Sequence, residues 1–198
     1  LAMSKRSLTS AEDITEAAGV RAFTQGLDAT GAAFADVDGD GDLDLLVNSV
    51  GGGTHVALND GRGVFRPLAP LNAGLGGTSL ALADLDGDGA LDLYVANYRT
   101  VTLRDQPRTN FRIERTNGQF VVALVNGRPS SLPEYQGRFT YLASGSIVEN
   151  GEPDAVFHND GSGRFTPVPM TGGAFLDENG QPLPGPLYDW GLSVLLRD

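Results

Sequence analysis

Short apolar runs alternate with glycine-rich polar turns along most of the chain, and this pattern predicts β-strands rather than helices. The runs at 43–47, 79–83 and 120–125 have the length and composition of strands. The sequence also contains 27 glycines and 11 prolines, which suits many short strands joined by tight turns. We therefore expect very little helix.

The chain repeats itself. Residues 32–47 reappear, with few changes, 48 positions later at 80–95, and the Asn-Asp-Gly signature of 58–65 recurs at 158–165. Each unit runs strand, acidic loop, strand, turn, strand, Asn-Asp-Gly turn, strand. Four short strands in about 48 residues are typical of one blade of a β-propeller.

The sequence therefore predicts an all-β chain, a β-propeller fragment with four-stranded antiparallel blades: about two blades plus flanking partial blades. The expected boundaries are 1–30 for the end of a preceding blade and a linker, 31–75 for the first blade, 76–170 for the second blade and 171–198 for a linker and the start of the next blade. Residues 190–198 resemble the strand before each acidic loop, with Asp198 opening a third loop. We accordingly expect contacts with the remaining blades of a longer chain.

The second blade is predicted to carry a polar insertion at about 99–152. Asn-Gly pairs at 117–118 and 126–127 lie beside β-type runs and predict hairpins, so we interpret the insertion as a β-hairpin excursion from one face. A degenerate third acidic loop at 146–154 is the alternative. It leaves too few residues before Asn159 for the strand and turn of the first unit.

Each acidic loop reads Asp-x-Asp-Gly-Asp-Gly-x-x-Asp. Carboxylates at short intervals, with glycines that let the chain curl around one point, predict a hard-cation site, and Ca²⁺ with its 6–8 oxygen ligands fits better than Mg²⁺. The expected ligands are Asp36, Asp38, Asp40, the carbonyl of Asp42 and Asp44 in the first loop, and Asp84, Asp86, Asp88, the carbonyl of Ala90 and Asp92 in the second.

An EF-hand opens with a similar pattern but requires a bidentate glutamate at its twelfth position. Here Val47 and Val95 stand there, and the residues after each loop form a β-type run. The EF-hand reading therefore fails, and the ninth-position aspartates, Asp44 and Asp92, take over as closing ligands.

Charge supports a local cation site. The net charge is −11, and removing the nine aspartates of the two loops leaves −2. A nucleic-acid partner is therefore not expected.

The absence of cysteine excludes disulfides and thiolate metal sites. No apolar run approaches the roughly 20 residues of a membrane span, so the sequence does not predict one.

The acidic motif resembles the FG-GAP/VCBS repeats of integrin α-like propellers. Residues 13–20, 93–97, 159–165 and 189–192 also look like bacterial propeller proteins that carry ASPIC/UnbV domains, relatives of cartilage acidic protein. The resemblance implies a ring of about seven blades. It also implies a secreted, periplasmic or cell-surface location and a role in adhesion or ligand binding.

Three functions remain open on the sequence. We favour a Ca²⁺-binding scaffold whose partner is a protein or a carbohydrate. Its surface would include the aromatic and arginine residues of the insertion, unless these merely pack the insertion against its blade: Tyr98, Arg99, Arg104, Arg108, Phe111, Arg112 and Tyr135. The second candidate is the non-catalytic part of a secreted carbohydrate-active or other hydrolytic enzyme, and the third is a purely structural spacer.

No catalytic residue is predicted. His55 and His158, the two histidines, occupy non-equivalent positions in their units, and we expect both to be strand-edge residues. Serine-rich stretches lack the G-x-S-x-G context of a nucleophile.

Overall fold

The protein is all-β. A computed structural model describes residues 12–196, and within that range it contains thirteen strands, one five-residue α-helix and one 3-10 turn. The elements are α1 (Val20–Thr24), β1 (Asp28–Ala35), β2 (Asp44–Val50), β3 (Gly53–Asn59), β4 (Phe65–Pro67), β5 (Gly77–Ala83), β6 (Asp92–Asn97), β7 (Phe111–Thr116), β8 (Gln119–Val125), β9 (Arg128–Pro129), the 3-10 turn (Pro133–Tyr135), β10 (Phe139–Tyr141), β11 (Ile147–Glu149), β12 (Ala155–Asn159) and β13 (Phe165–Val168).

The first four-stranded sheet follows chain order, β1-β2-β3-β4, with every neighbouring pair antiparallel. The acidic loop joins β1 to β2, where Ala35 pairs with Asp44. A two-residue turn then leads into β3, and the Asn-Asp-Gly turn joins β3 to β4. This is the strand and turn order that the repeat predicted.

The second four-stranded sheet has the order β13-β12-β6-β5, again antiparallel. It reproduces the first in detail. The register of β5 on β6 shifts between Gly77 and Ser79, and the register of β1 on β2 shifts at the equivalent place, between Ala29 and Gly31. Such bulges bend and twist a strand locally, so the two blades share curvature as well as topology.

Five strands lie between β6 and β12. Strands β7, β8 and β9 form one sheet, and β10 pairs with β11 in another. The Asn-Gly hairpins are confirmed: Asn117, Gly118, Asn126 and Gly127 all have positive φ, as a two-residue primed turn requires. The expectation of a simple hairpin excursion was incomplete, because the short β10–β11 ladder and the 3-10 turn gave no comparable turn signal.

One apolar core joins the two blades. It contains Val37, Leu46 and Val56 from the first unit and Leu93, Val95 and Phe157 from the second. The hydroxyl of Thr30 in β1 also donates to the carbonyl of Gly77 in β5, at 2.7 Å. Both acidic loops therefore sit on a shared, packed base.

The predicted strand at the C-terminal end is wrong for the residues described. Residues 190–196 form no strand, although they run beside β5: Thr78 Oγ1 donates to the Gly191 carbonyl and the Val194 amide donates to Ser79 Oγ. Those side-chain hydroxyls take the place of a backbone ladder. Residues 1–11 and 197–198, with the predicted loop-opening Asp198, lie outside the described residues. None of the helices described is long and apolar enough to cross a membrane.

Candidate metal centre

The first acidic loop is curled by its own first aspartate. Asp36 Oδ1 accepts a hydrogen bond from the Gly39 amide at 2.8 Å, and Oδ2 accepts one from the Gly41 amide at 3.0 Å. Gly39 and Gly41 have φ of 76° and 91°, a conformation that side chains disfavour. The Asp-x-Asp-Gly-Asp-Gly segment thus folds into a tight arc. The glycines allow its positive φ angles, and the hydrogen bonds to Asp36 stabilise it.

The arc gathers three carboxylates. Asp36, Asp38 and Asp40 each place an oxygen within 4.8 Å of the others. In the described part of the chain, no lysine or arginine forms a salt bridge with any of the loop aspartates. A concentrated negative charge with oxygen donors and no cationic side chain to compensate it fits a hard divalent cation.

Asp44 is placed differently from the other predicted ligands. It is fully buried, its Oδ2 accepts the Val37 amide at 2.9 Å and its Oδ1 accepts the Asn59 amide at 2.8 Å. The gathered group of the first loop does not include it. Asp44 thus fastens the acidic loop to the Asn-Asp-Gly turn, and its role as an ion ligand stays a prediction.

The seventh loop position points its side chain away from the arc. Asp42 Oδ2 lies against the Asn-Asp-Gly turn, where a Cβ on Gly61 would approach it to 2.7 Å. Ala90 faces the equivalent Gly161. Both residues are thereby consistent with the predicted use of the backbone carbonyl, which stays a prediction.

The second loop repeats this geometry. Asp84 accepts the amides of Gly87 and Gly89 at 2.7 and 3.0 Å, and Asp92 accepts those of Leu85 and Asn159 at 3.0 and 2.9 Å. Here the gathered group is Asp84, Asp86 and Asp92. The ninth-position aspartate therefore belongs to the carboxylate cluster in this loop, unlike Asp44 in the first.

A histidine distinguishes the second loop. His158 Nδ1 lies 3.2 Å from Asp86 Oδ2 and 3.2 Å from Asp92 Oδ1, and it forms a second potential metal group with Asp86 and Asp88. The sequence interpretation of His158 as a plain strand-edge residue missed this contact. The sequence did hold a signal for it. His158 directly precedes Asn159, and the repeat makes Asn159 the equivalent of Asn59, whose turn follows the first acidic loop.

The asparagines of the Asn-Asp-Gly turns were also missed. Asn59 Nδ2 donates to the Leu43 carbonyl, while Asn159 Nδ2 donates to the carbonyls of Leu91 and, at 2.8 Å, of Val37. The last bond crosses from the second blade to the first acidic loop. The two loops and this turn border a cavity of about 340 Å³.

Electrostatics of the first loop follow from its crowding. Partial burial raises the pKa of Asp38, and the neighbouring carboxylates of Asp44, Asp40 and Asp36 raise it further against the lowering effect of the Asp40 amide. A cation in the loop would remove this repulsion.

Comparison with known families bears directly on these loops. Residues 36–95 match the FG-GAP-like repeat. The match begins at the first aspartate of the first loop and ends in β6, so it spans both acidic loops and the strands between them. The FG-GAP-like repeat therefore accounts for the part of the chain where the two blades repeat each other.

Comparisons with solved structures and with curated proteins give weaker similarity. A solved structure of an Agrocybe aegerita lectin, described with its recognition of non-reducing terminal N-acetylglucosamine, is 23% identical to the chain, with a TM-score of 0.26. The similarity covers 71% of this chain and 37% of the lectin chain, so the chain spans well under half of that protein's length. No curated protein matches the sequence.

Three residues of the predicted insertion surface serve packing. Tyr98 contacts Trp190 with ring centroids 4.5 Å apart, and Phe111 meets Phe139 edge-on at 4.9 Å. Arg99 is largely buried and donates to the carbonyls of Asn150 and Gly151. Arg104, Arg108 and Arg112 are exposed, whereas Tyr135 borders a cavity of about 640 Å³ between the insertion and the blade.

Proposed function

We propose that this chain is a Ca²⁺-binding β-propeller module that acts outside the cytoplasm as a binding or adhesion scaffold. The observation that carries the proposal is the first loop, where three carboxylates converge within 4.8 Å and no arginine or lysine of the described chain pairs with them. The FG-GAP-like repeat is generally a non-catalytic scaffold, which favours this role over an enzymatic one.

Calcium suits the first loop because all its donors are oxygen. Asp36, Asp38 and Asp40 would supply carboxylate oxygens, the carbonyl of Asp42 would add a neutral one, and water would complete the 6–8 ligands that Ca²⁺ takes. The ion would neutralise charges that otherwise repel each other. Extracellular calcium modules bind at about 10⁻⁴–10⁻³ M, so such a site fills where calcium is abundant, which argues for the secretory side of a membrane.

The ion would stabilise more than its own loop. The first loop follows β1, rests on Asp44 and receives the side-chain amide of Asn159 from the second blade. A cation that fixes the arc therefore also fixes where two blades meet. Because Ca²⁺ binds the folded arc and not the unfolded chain, its binding adds to stability by mass action.

The partner surface is proposed to lie on the insertion. The cavity of about 640 Å³ there is bordered by Tyr135, Tyr188 and Gln106 together with the buried arginines Arg99 and Arg138. Aromatic faces beside planar polar groups suit a carbohydrate or an extended peptide. Both partner classes of the sequence analysis therefore remain within the proposal.

Equilibrium dialysis against radioactive Ca²⁺ tests the proposal. We expect the protein, freed of other divalent ions, to bind calcium at the first loop, and the Asp36→Ala variant to lose that ion. Asp177→Ala is the matched control, because among the residues described its carboxylate accepts hydrogen bonds only from Asn179 and Gln181, in an exposed turn. Calcium binding that is equal in Asp36→Ala and in the unaltered protein would refute the proposal.

A further inference from the structure

The two loops are not chemically equivalent, and the difference lies in one residue. His158 of the second blade occupies the position that Leu58 occupies in the first, immediately before the Asn-Asp-Gly turn. The first unit thus carries an apolar side chain at this position, and the second unit carries an imidazole.

The imidazole is aimed at the second loop. Nδ1 of His158 is fully buried although the side chain as a whole is 35% exposed, and it lies 3.2 Å from an oxygen of Asp86 and 3.2 Å from an oxygen of Asp92. Neither oxygen is in hydrogen-bonding geometry with Nδ1, which leaves a buried nitrogen without a partner. A buried polar atom of that kind is costly unless something else satisfies it.

The spacing fits ligands of a single ion. Two atoms bound at about 2.1 Å to one metal lie roughly 3.0 Å apart in octahedral and roughly 3.4 Å apart in tetrahedral coordination, and the observed 3.2 Å falls between these. Asp88 belongs to the same group as His158 and Asp86, with donor atoms within 4.8 Å of one another. The donor set is therefore one nitrogen with several carboxylate oxygens.

We propose that the second loop is a mixed nitrogen–oxygen site that selects a first-row transition-metal ion of the Zn²⁺ class over Ca²⁺, with His158 as a ligand. Imidazole nitrogen binds such ions well and is not a ligand of the hard cations, which take oxygen. This inference rests on the proposed function, in which the acidic loops hold cations, and it divides that function between two different metals.

The site has room for an incoming ligand. Asp86, Asp92 and His158 border a cavity of about 400 Å³ whose other walls are largely apolar, with Leu85, Val156 and Phe175 among them. An ion held by Asp86, Asp92 and His158 would lie at the rim of this cavity, where an exchangeable ligand could reach it, as in zinc sites with an open position.

Nitrogen NMR of the histidine rings tests the assignment directly. The chain has two histidines, and His55 stacks on Phe23 at 6.3 Å and belongs to no metal-ligand group among the residues described, so it serves as an internal control. We expect one equivalent of Zn²⁺ to shift the Nδ1 resonance of His158 while the His55 resonances stay in place. Zn²⁺ binding that leaves His158 Nδ1 unmoved would overturn the proposal.

Variants separate this proposal from the calcium proposal. His158→Leu copies the residue of the first blade, and we expect it to weaken Zn²⁺ binding at least about tenfold, the lower end of what even outer-sphere partners contribute. Ca²⁺ binding to the first loop should be unchanged in this variant. His158→Gln, which keeps a polar side chain, should lose Zn²⁺ to a similar extent.

The outcomes are distinguishable. If His158 only pairs electrostatically with Asp86 and Asp92, both variants will bind Zn²⁺ as the unaltered protein does, and the inference is wrong while calcium binding survives. If calcium fails to bind the first loop, the proposed function fails irrespective of the zinc result.

Discussion

Asp44 and Asp38 stand six residues apart in the same loop, yet their environments assign them different tasks. Both carboxylate oxygens of Asp44 accept buried or half-buried backbone amides, from Val37 and Asn59. Asp38 is half-buried, accepts one long bond from the Asp40 amide and has its pKa raised by burial and by its neighbours. Asp44 therefore stabilises the fold. Asp38 is instead held close to other carboxylates, and a bound cation would remove the repulsion between them.

This contrast gives a prediction at the residue scale. In chelator, Asp44→Ala should lower the free energy of unfolding by about 2–6 kcal/mol, since it leaves two amides without an acceptor at about 1–3 kcal/mol each. Asp38→Ala should change that free energy little, because it removes repulsion along with one weak bond. Urea denaturation measures both. Equal losses would show that the two aspartates are not distinguished as described.

The sequence was sufficient to place the loop aspartates but not to tell these tasks apart. Spacing and glycine positions identify the arc, because only glycine takes the φ values that the arc needs. The hydrogen bonds of Asp44 come from Val37 and from Asn59, fifteen residues further on. The contacts of His158 with the second loop span more than sixty residues, and only its place before the repeated Asn-Asp-Gly turn pointed to them.

At the scale of elements, a buried ion pair holds the insertion together, and Glu152 attaches its end to the blade through the Gly76 amide. Arg138 donates through Nε to Glu149 at 2.9 Å and through a terminal nitrogen to the Val101 carbonyl at 3.0 Å. Glu152 accepts the amides of Gly76 and Thr100 and lies near Arg99. The two hairpin turns were predictable from Asn-Gly pairs, whereas this attachment depends on residues that are distant in sequence.

Breaking the buried pair should therefore cost far more than breaking an exposed one. We expect Arg138→Ala to reduce the free energy of unfolding by about 3–5 kcal/mol, because it leaves the buried carboxylate of Glu149 without its cationic partner. Arg112→Ala, which removes a solvent-exposed pair with Glu114, should cost at most about 1 kcal/mol. The comparison is made by urea denaturation of the two variants, and similar values would contradict a stabilising role for the buried pair.

At the scale of the whole molecule, the blades meet through an apolar core and several side-chain hydrogen bonds, among them one from the Asn159 amide. The core is shared by Val37, Leu46, Leu93 and Phe157, and the amide of Asn159 reaches the Val37 carbonyl. Repetition predicted the blades, since two similar sequences fold alike. Repetition did not predict the contact between the blades. Asn59 and Asn159 are equivalent in sequence, but only Asn159 bonds to the other blade.

That difference yields a matched pair of variants. Asn159→Ala removes a bond between blades as well as two within its blade, whereas Asn59→Ala removes side-chain bonds within the first blade alone. We expect Asn159→Ala to destabilise the protein by about 1–3 kcal/mol more than Asn59→Ala, the cost of leaving a buried polar group unpaired. Thermal or urea denaturation measures the stability of the two variants. Equal destabilisation would contradict a stabilising role for the bond between Asn159 and Val37.

The central claim is that the carboxylates are crowded together to hold a divalent ion. Its most direct test is the melting temperature of the protein with Ca²⁺ and with chelator. A ligand at 100 times its dissociation constant adds about 2.7 kcal/mol, which corresponds to a rise of roughly 5–10 °C for a chain of this size. We predict such a rise for the unaltered protein and none for the Asp36→Ala/Asp84→Ala double variant. A melting temperature that is the same with calcium and with chelator would contradict the account.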